Sequence, residues 1–412
     1  MRLLLLILFA WSSAVLHAQQ TTDVYKKKNI LKEIRAYNKA ANFAKVDETL
    51  RNAFGKYPQA QADAELRNYF LNAKHQLALQ ENRKIYLNNK PDTAKYFSYI
   101  YELYETGLTC DSLDNVPDRK GRVKPRYTSN ISSKLQAFRN NLRSGGKYFY
   151  KKKQYADAYR YFDMYLSTIH NPLVSNGKAD RGEAPVDVDS VEIARLSVIA
   201  AYGANKPSEA LKYVPVALRD TSDSRASIYE IAAKSLLQLG DTAQYVACLH
   251  QGLNEYPLNE LFYASLITYY NERTEYAHSL AILDSLVNLD VSNHLFWYLK
   301  GKVHQCMQQS DSAIAAYQHA IQLKPDDARA YSSLGSVHLE DAHRFYDAAN
   351  LKLGAKNYAT NRRKLNQFYF LAKDAYEHAR QFDENDKSLW LDALREIYFK
   401  LNMGKELGEL NN

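Results

Sequence analysis

The fold is decided by one 34-residue segment, His294–Asp327, which reads HLFWYLKGKVHQCMQQSDSAIAAYQHAIQLKPDD. It has two helix-compatible halves, and Pro325 stops the second half because proline cannot continue a helix. Trp297 is large and Gly301 is small one turn later, so a second helix can approach the first closely beside Gly301. Ala313 offers a similarly small surface from the other half. The segment therefore predicts a closely packed pair of antiparallel helices.

The same pattern recurs with a period of 34 residues. The large aromatic position is occupied by Tyr229, Tyr263, Trp297 and Tyr331. The position four residues later is occupied by Ala233, Ile267, Gly301 and Gly335. Weaker matches continue toward the N-terminus, so the period covers most of the chain. A fixed period of this length is typical of a solenoid, in which each helix pair buries its apolar face against the next pair.

This pattern resembles the tetratricopeptide repeat. The matching positions of the segment are Trp297, Gly301, Ala313, Tyr317, Ala320 and Pro325. The segment departs from the family at Lys300, where leucine is usual, and at His304, where tyrosine is usual. The resemblance implies an all-α fold, a right-handed α-solenoid of helix-turn-helix repeats, whose role is to bind a protein or peptide partner.

Interruptions of the period divide the chain. The sequence predicts a signal peptide at 1–18, followed by a basic N-terminal helical-repeat region at 19–172 with a loop at 111–130. A linker loop at 173–190 leads to a C-terminal repeat array at 191–412. This array contains an inserted helical hairpin at about 341–371 and a closing helix at 388–401.

The first residues have the features of a secretory signal peptide. Arg2 precedes an apolar run from Leu3 to Ala10, and small residues end at Ala18 before a polar stretch. Cleavage after Ala18 would give a periplasmic or otherwise exported protein, with no integral membrane segment in the mature chain. No cysteine lies at the cleavage site, so the signal is unlike that of a lipoprotein. An uncleaved membrane anchor is the alternative, although the apolar run is short for a membrane span.

Composition excludes several protein classes. Hydrophobic residues make up 46% and charged residues 24% of the 412 residues, which excludes wholesale disorder. The mean hydropathy of −0.50 excludes a multi-span membrane protein. Three cysteines are too few for a disulfide framework, although a single pair remains open.

Charge is distributed unevenly along the chain. Residues 19–160 hold 28 Lys and Arg against 14 Asp and Glu, whereas residues 161–412 hold 25 against 32. Residues 119–153 contain twelve basic residues and no acidic one. The candidate basic patch comprises Arg119, Lys120, Arg122, Lys124, Arg126, Arg139 and Arg143. Such a patch attracts anionic partners. For an exported protein we expect an anionic envelope surface and no nucleic acid; a merely solvated basic face is the alternative.

The family resemblance also implies which side chains line the concave groove. Carried over position by position, these are Glu230, Lys234, Thr268, Asn271, Glu272, Tyr298, Lys302, Gln305, Ser336 and Glu340, with Ser332 at an equivalent position. This is a mixed polar surface, which suits hydrogen bonding to an extended or helical peptide.

The sequence contains no recognisable catalytic motif. The eleven histidines are scattered without metal-ligand spacing, so we expect no metal site and no cofactor. The sequence therefore predicts a non-catalytic protein-protein interaction scaffold of the bacterial envelope. One alternative is a cell-wall or carbohydrate-associated accessory protein, if Tyr96, Tyr99, Tyr101 and Tyr104 form an exposed face. The other is an enzyme built on a helical solenoid.

Overall fold

The computed structural model describes residues 25–175, 188–222 and 224–410, and these ranges contain helices and no β-strand. The predicted signal peptide at 1–18 lies outside them. The chain divides into two compact units, Met1–Gly240 and Asp241–Asn412. Each unit consists of antiparallel helix pairs stacked side by side, which confirms the predicted all-α solenoid class.

The described helices of the first unit are α1 Lys27–Lys39, α2 Phe43–Lys56, α3 Pro58–Gln61, α4 Ala64–Tyr86, α5 Thr93–Asp114, α6 Thr128–Lys151, α7 Tyr155–Ser167, α8 Pro172–Ser175, α9 Val188–Gly203, α10 Pro207–Lys212, α11 Val214–Ala217 and α12 Arg225–Leu239. Those of the second unit are α13 Thr242–Glu255, α14 Glu260–Glu272, α15 Tyr276–Leu289, α16 His294–Cys306, α17 Ser310–Leu323, α18 Ala328–Ala348, α19 Tyr358–Phe382, a 3₁₀ turn Lys387–Leu389, α20 Leu391–Lys400 and α21 Gly404–Leu410.

Side-chain caps set the start of the helix pairs in the second unit. Asn259, Asn293 and Asp327 are spaced by 34 residues, and each accepts a hydrogen bond from the backbone N–H two residues later, at 3.0–3.1 Å. These bonds satisfy helix N–H groups that have no partner within the helix. The caps therefore repeat with the same period as the aromatic residues.

Glycine allows the paired helices to approach each other. A Cβ atom at Gly301 would lie 2.6 Å from the ring of Tyr317, and one at Gly335 would lie 2.7 Å from the ring of Tyr376. Both distances are too short for a real contact. The small residue of the first helix and the aromatic residue of the second therefore fit together, as the sequence predicts.

The core of the first unit contains many of the tyrosines. Tyr104, Tyr159, Tyr161, Tyr165 and Tyr213 are buried in one cluster that spans Leu71 to Ile228. The abundance of tyrosine is thus explained in part by packing between helices.

One lysine is fully buried in this unit. Lys74 on α4 has no exposed surface and forms ion pairs with Asp47 on α2 and Glu102 on α5. Arg51 also contacts both carboxylates. The Nζ atom of Lys74 lies 4.7 Å from the centre of the Phe70 ring. A network of two cations and two carboxylates therefore connects three helices.

The predicted loop at 111–130 is shorter in the structure than the sequence predicts. The predicted loop 111–130 is helical at both ends, because α5 continues to Asp114 and α6 begins at Thr128. Asp114 accepts a 2.7 Å hydrogen bond from the N–H of Tyr127, and Thr128 donates to Asp111 at 2.9 Å. These bonds shorten the loop to residues 115–127.

The predicted linker 173–190 falls largely outside the described residues, which omit 176–187. The two units meet in sequence at Gly240 and not at this linker. The physical reason is that α9, which follows the linker, buries Ile193 and Ala194 in the same core cluster as Phe162 of α7.

The predicted hairpin at about 341–371 falls on the helix pair α18 and α19, and the predicted closing helix at 388–401 falls on the end of the 3₁₀ turn and on α20. The pair α18 and α19 is lengthened to 21 and 25 residues, whereas the pairs before it have helices of 13 and 14 residues. The closing helix α20 buries Leu394 and Ile397. It is not the last helix, as α21 follows it.

Candidate functional site

A polar pocket lies in the second unit between α16, α18 and the start of α20. Its volume is about 540 Å³. Five of the predicted groove residues line it, namely Lys302, Gln305, Ser336 and Glu340 together with Ser332 at the equivalent position. The remaining lining residues are Cys306, Ser333, Tyr376, Ser388, Leu389, Trp390, Asp392 and Ala393.

Hydrogen bonds fix the polar side chains of the pocket. Nε2 of Gln305 donates to Oγ of Ser336 at 3.1 Å and to Oε1 of Glu340 at 2.6 Å. Ser336 donates to the same carboxylate oxygen at 3.0 Å. The hydroxyl of Tyr317 donates to Oε1 of Gln305 at 2.8 Å, which fixes the orientation of the Gln305 amide. Residues one helix pair apart are therefore joined into a preformed surface.

The segment after α19 closes one end of the pocket. Ser332 donates a 2.6 Å hydrogen bond to the carbonyl of Leu389. Trp390 is 4% exposed, and its Nε1 donates to the carbonyl of Asp383 at 3.0 Å. The guanidinium of Arg380 lies 5.2 Å from the Trp390 ring. Residues 388–393 thus form a fixed wall.

In the part of the chain that the structure describes, the charged groups of the pocket without an ion-pair partner are one lysine and one glutamate. Within the described residues, Lys302 has no carboxylate and Glu340 no cation within ion-pair distance. The carboxylate of Asp392 is 98% exposed and lies 3.4 Å from Arg395. Burial raises the pKa of Tyr376 to about 12, so its hydroxyl is neutral at physiological pH. The pocket offers hydrogen-bonding groups, one lysine and two carboxylates.

The groove residues predicted from the sequence do not include the pocket wall at residues 388–393. Ser388, Leu389 and Asp392 come from the segment that the period identifies only as a closing helix. The signal was present, because Trp390 occupies the aromatic position of a first helix, and first-helix residues line the groove in this repeat. Applying the register to residues 388–393 would have identified this wall.

Other predicted groove residues lie elsewhere. Glu230 and Lys234 are on α12 in the first unit, where they lie 3.8 Å apart. Thr268 and Glu272 are exposed on α14. Asn271 accepts a 2.8 Å hydrogen bond from Ser279 within its own helix pair, and so it has a structural contact.

Tyr298 lies beside the pocket without lining it. Its ring centre is 5.9 Å from that of Tyr317, and the charged groups of Lys302 and Arg329 lie 5.9 and 5.7 Å from it. The ring therefore supports the lysine of the pocket.

The predicted basic patch separates into two parts. The first part is on the loop between α5 and α6, where Arg119, Lys120 and Lys124 are exposed and have no carboxylate partner in the described ranges. Arg122 pairs with Asp118 at 3.0 Å, and Arg126 lies 3.7 Å from Asp114. Three of these five cations are free to attract a partner.

The second part of the patch is on α6 and is bound to the protein itself. Arg139 donates to the carbonyl of Tyr165 at 3.3 Å and stacks on that ring at 4.3 Å. Arg143 pairs with Asp189 on α9. These arginines connect neighbouring helices.

The tyrosines that favoured a carbohydrate-binding role are not exposed. Tyr104 is fully buried, and its hydroxyl donates to the carbonyl of Leu135. Tyr96 accepts a 2.9 Å hydrogen bond from Asn141, and Tyr101 packs 5.1 Å from the Tyr161 ring. These rings are partly or fully buried between helices and form no open stacking face.

The described residues contain no group of three His, Cys, Asp or Glu side chains that could hold a metal ion. Burial raises the pKa of the Cys110 thiol to about 12 and that of Cys248 to about 11. Both thiols are therefore protonated at neutral pH and poor nucleophiles.

No helix in the described part of the chain combines the length and the apolar character needed to span a bilayer.

A family model described as the TPR repeat matches residues 307–341. The match covers α17 and the part of α18 that contributes Ser336 and Glu340. No curated protein matches the chain.

Solved structures of repeat proteins are similar to the chain. The C-terminal part of a TPR repeat-containing protein from Cytophaga hutchinsonii is 14% identical, with a TM-score of 0.42 over 65% of this chain and 90% of that chain. A TPR repeats protein from Bacteroides fragilis is 17% identical, with a TM-score of 0.32 over 63% and 97%. MamA from Desulfovibrio magneticus is 17% identical, with a TM-score of 0.30 over 45% and 96%.

Proposed function

Since the chain is a tetratricopeptide-repeat protein, we propose that it is a non-catalytic scaffold that binds a peptide segment of a partner protein in the pocket of the second unit. The observation that carries this proposal is the convergence of Lys302, Gln305, Ser336 and Glu340 on one preformed surface. A rigid surface binds with a smaller loss of side-chain entropy than a flexible one.

The chemistry of the pocket indicates what kind of peptide it binds. Hydroxyl groups and the Gln305 amide can hydrogen-bond a peptide backbone. Of the two carboxylates that line the pocket, Asp392 lies 3.4 Å from Arg395, whereas Glu340 has no cation partner among the described residues. A lysine or arginine of the peptide would place its charge beside Glu340, which no cation of the described residues neutralises.

We propose that binding takes place in the envelope of a Gram-negative cell, in the periplasm. The support is the sequence of residues 1–18, with its apolar run and small residues ending at Ala18. The proposal involves no cofactor and no nucleic acid.

Site-specific photocrosslinking tests the pocket as the binding site. A benzophenone amino acid replaces Ser336 in the pocket or Gln322, which is exposed on α17 outside it. We expect a crosslinked partner protein from position 336 and not from position 322. Mass spectrometry then identifies the partner segment. Equal crosslinking from both positions would contradict the proposal.

The identified segment is then synthesised, and its affinity is measured by calorimetry. Glu340→Gln removes the carboxylate of the pocket that has no cation partner among the described residues, and we expect a loss of affinity of about tenfold, which corresponds to about 1.4 kcal/mol. Glu272→Gln removes a carboxylate that is exposed outside the pocket and serves as the matched control. An unchanged affinity of Glu340→Gln would show that the Glu340 carboxylate does not contribute to binding a basic residue of the peptide.

A further inference from the structure

The C-terminal end of α4 and the residue that follows it expose three consecutive apolar side chains. Ile85 is 57% exposed, Tyr86 82% and Leu87 69%. Single exposed apolar residues are common on soluble proteins, but a contiguous group at the tip of a helix pair indicates an interaction site.

Cations surround this tip without a carboxylate partner among the residues described, although the ammonium of Lys95 lies 6.0 Å from the centre of the Tyr99 ring. Arg83, Lys90 and Lys95 are exposed, and in the described ranges none of them has a carboxylate within ion-pair distance. The carboxylates nearest in sequence are already engaged. Glu81 pairs with Lys84 at 2.8 Å, and Asp92 caps α5 by accepting from the N–H of Lys95 at 3.0 Å.

A second basic turn lies on the same edge of the unit. The ring of Phe97, near the start of α5, is 5.4 Å from the ring of Tyr148, near the end of α6. The turn that follows α6 is therefore close to the turn that precedes α5. It contains Lys151–Lys153, which are all exposed and have no carboxylate partner among the described residues.

The loop 115–127 lies at the opposite edge. The thiol of Cys110, near the end of α5, lies 3.3 Å from the carbonyl of Ala64, at the start of α4. The 23 residues of α4 separate the two edges by about 34 Å. The predicted loop cations and the cations of Lys151–Lys153 therefore face different sides.

We propose that the apolar-basic edge docks on the surface of an anionic lipid bilayer. The edge is defined by Ile85, Tyr86 and Leu87 with the cations Arg83, Lys90, Lys95 and Lys151–Lys153. Apolar side chains and a tyrosine at a tip insert at the headgroup level, and lysines around them are attracted to anionic headgroups. Charge alone would suit any anionic partner, whereas the adjacent apolar tip favours a bilayer.

This docking site goes beyond the proposed function. The peptide pocket is in the second unit and the apolar-basic edge is in the first. Either activity can therefore fail in an experiment without the other.

Vesicle cosedimentation of the mature chain tests the proposal. Vesicles of phosphatidylcholine with phosphatidylglycerol are compared with vesicles of phosphatidylcholine alone, at low and high salt. We expect binding only to the anionic vesicles and weaker binding at high salt. Equal binding to both vesicle types, or no binding to either, would overturn the proposal.

Matched variants locate the charged contact. Replacing Lys151, Lys152 and Lys153 with glutamine should weaken binding by ~100-fold at low salt, because each basic residue near an anionic surface contributes about fivefold. Replacing Arg119, Lys120 and Lys124 with glutamine removes the same charge from the opposite edge and should have a much smaller effect. An equal loss in both variants would show that net charge and not this edge determines binding.

A second pair of variants tests insertion of the tip. Serine at positions 85, 86 and 87 should weaken binding at least ~10-fold without changing the unfolding temperature, because these side chains are exposed. Serine in place of Val116 and Val123, which are exposed on the opposite loop, is the control. Binding to poly-glutamate, a model of an acidic protein, is measured alongside. If the tip variant binds vesicles normally and the lysine variant loses binding to poly-glutamate, the edge fits an acidic protein and the proposal is wrong. Sedimentation velocity tests whether the edge binds a second copy of the chain. If the unmodified protein is a dimer that does not bind vesicles, and the tip variant is a monomer, the edge is a dimer interface and the proposal is also overturned.

Discussion

The hydroxyl of Tyr317 donates a 2.8 Å hydrogen bond to Oε1 of Gln305. The ring of the same tyrosine fills the space left by the missing side chain of Gly301. One residue thus joins the packing of a helix pair to the orientation of an amide in the pocket. The position of Gln305 depends on how closely α16 and α17 approach each other.

Replacing Tyr317 with phenylalanine removes this hydrogen bond and keeps the ring. We expect the free energy of unfolding to fall by about 1 kcal/mol, because the Gln305 amide loses a buried partner. Urea denaturation followed by circular dichroism measures the change. Tyr298→Phe is the control, since the Tyr298 hydroxyl has no hydrogen-bond partner among the described residues, and its stability should be nearly unchanged. Equal losses would show that the hydroxyl of Tyr317 contributes little.

Replacing Gly301 with alanine tests the close approach of the helices. The added Cβ atom would lie 2.6 Å from the Tyr317 ring, so the helices must move apart, at a cost of about 1–3 kcal/mol. Gly55→Ala is the matched control, because Gly55 is also helical and a Cβ atom there meets nothing within 4 Å. That control should be neutral or stabilise by up to ~1 kcal/mol, since alanine favours the helix. The unfolding temperature should fall for Gly301→Ala and stay unchanged or rise for Gly55→Ala, and a neutral Gly301→Ala would contradict the packing described.

The period was predictable from sequence because it depends on local contacts. The aromatic residue, the small residue and the cap each lie within one helix pair, and so each repeats every 34 residues. The groove positions Lys302, Gln305, Ser336 and Glu340 followed from the same register. The pocket wall at Ser388 follows from the register only through Trp390, because a long hairpin interrupts the period before it and separates it in sequence from the residues that it faces.

Charge was harder to predict from the sequence. Residues 119–153 contain no acidic residue, yet Arg143 and Lys147 on α6 pair with Asp189 and Glu192 on α9. These carboxylates lie more than 40 positions away along the chain. Lys74 shows the same difficulty, because a lysine in an amphipathic helix is expected at the surface and here is fully buried. Ion pairs between residues far apart in the chain produce no local sequence pattern from which they could be predicted.

Acid should destabilise the protein through histidines that are buried or partly buried. Burial lowers the pKa of His338, as it does for His75 and His250. The unfolded chain therefore binds protons more tightly, and stability that is present above the unfolded pKa of about 6.5 is lost as the pH falls toward the folded pKa. We expect His338→Gln to reduce the difference in the free energy of unfolding between about pH 7.5 and about pH 5.5. An unchanged difference would show that His338 does not contribute to this pH dependence.

The three cysteines should react at very different rates, which tests access to the pocket. Cys306 is exposed and lines the pocket, whereas Cys110 is fully buried and Cys248 is half-buried. Burial raises the pKa of the two less exposed thiols to about 12 and about 11, so their reactive thiolate forms are scarce at neutral pH. We expect one fast-reacting thiol in the native protein with a disulfide reagent, and all three after unfolding. Cys306→Ser should remove the fast reaction, and a peptide bound in the pocket should slow it in the unmodified protein. A fast reaction that persists in Cys306→Ser would place an exposed thiol elsewhere and contradict the burial of Cys110 or Cys248.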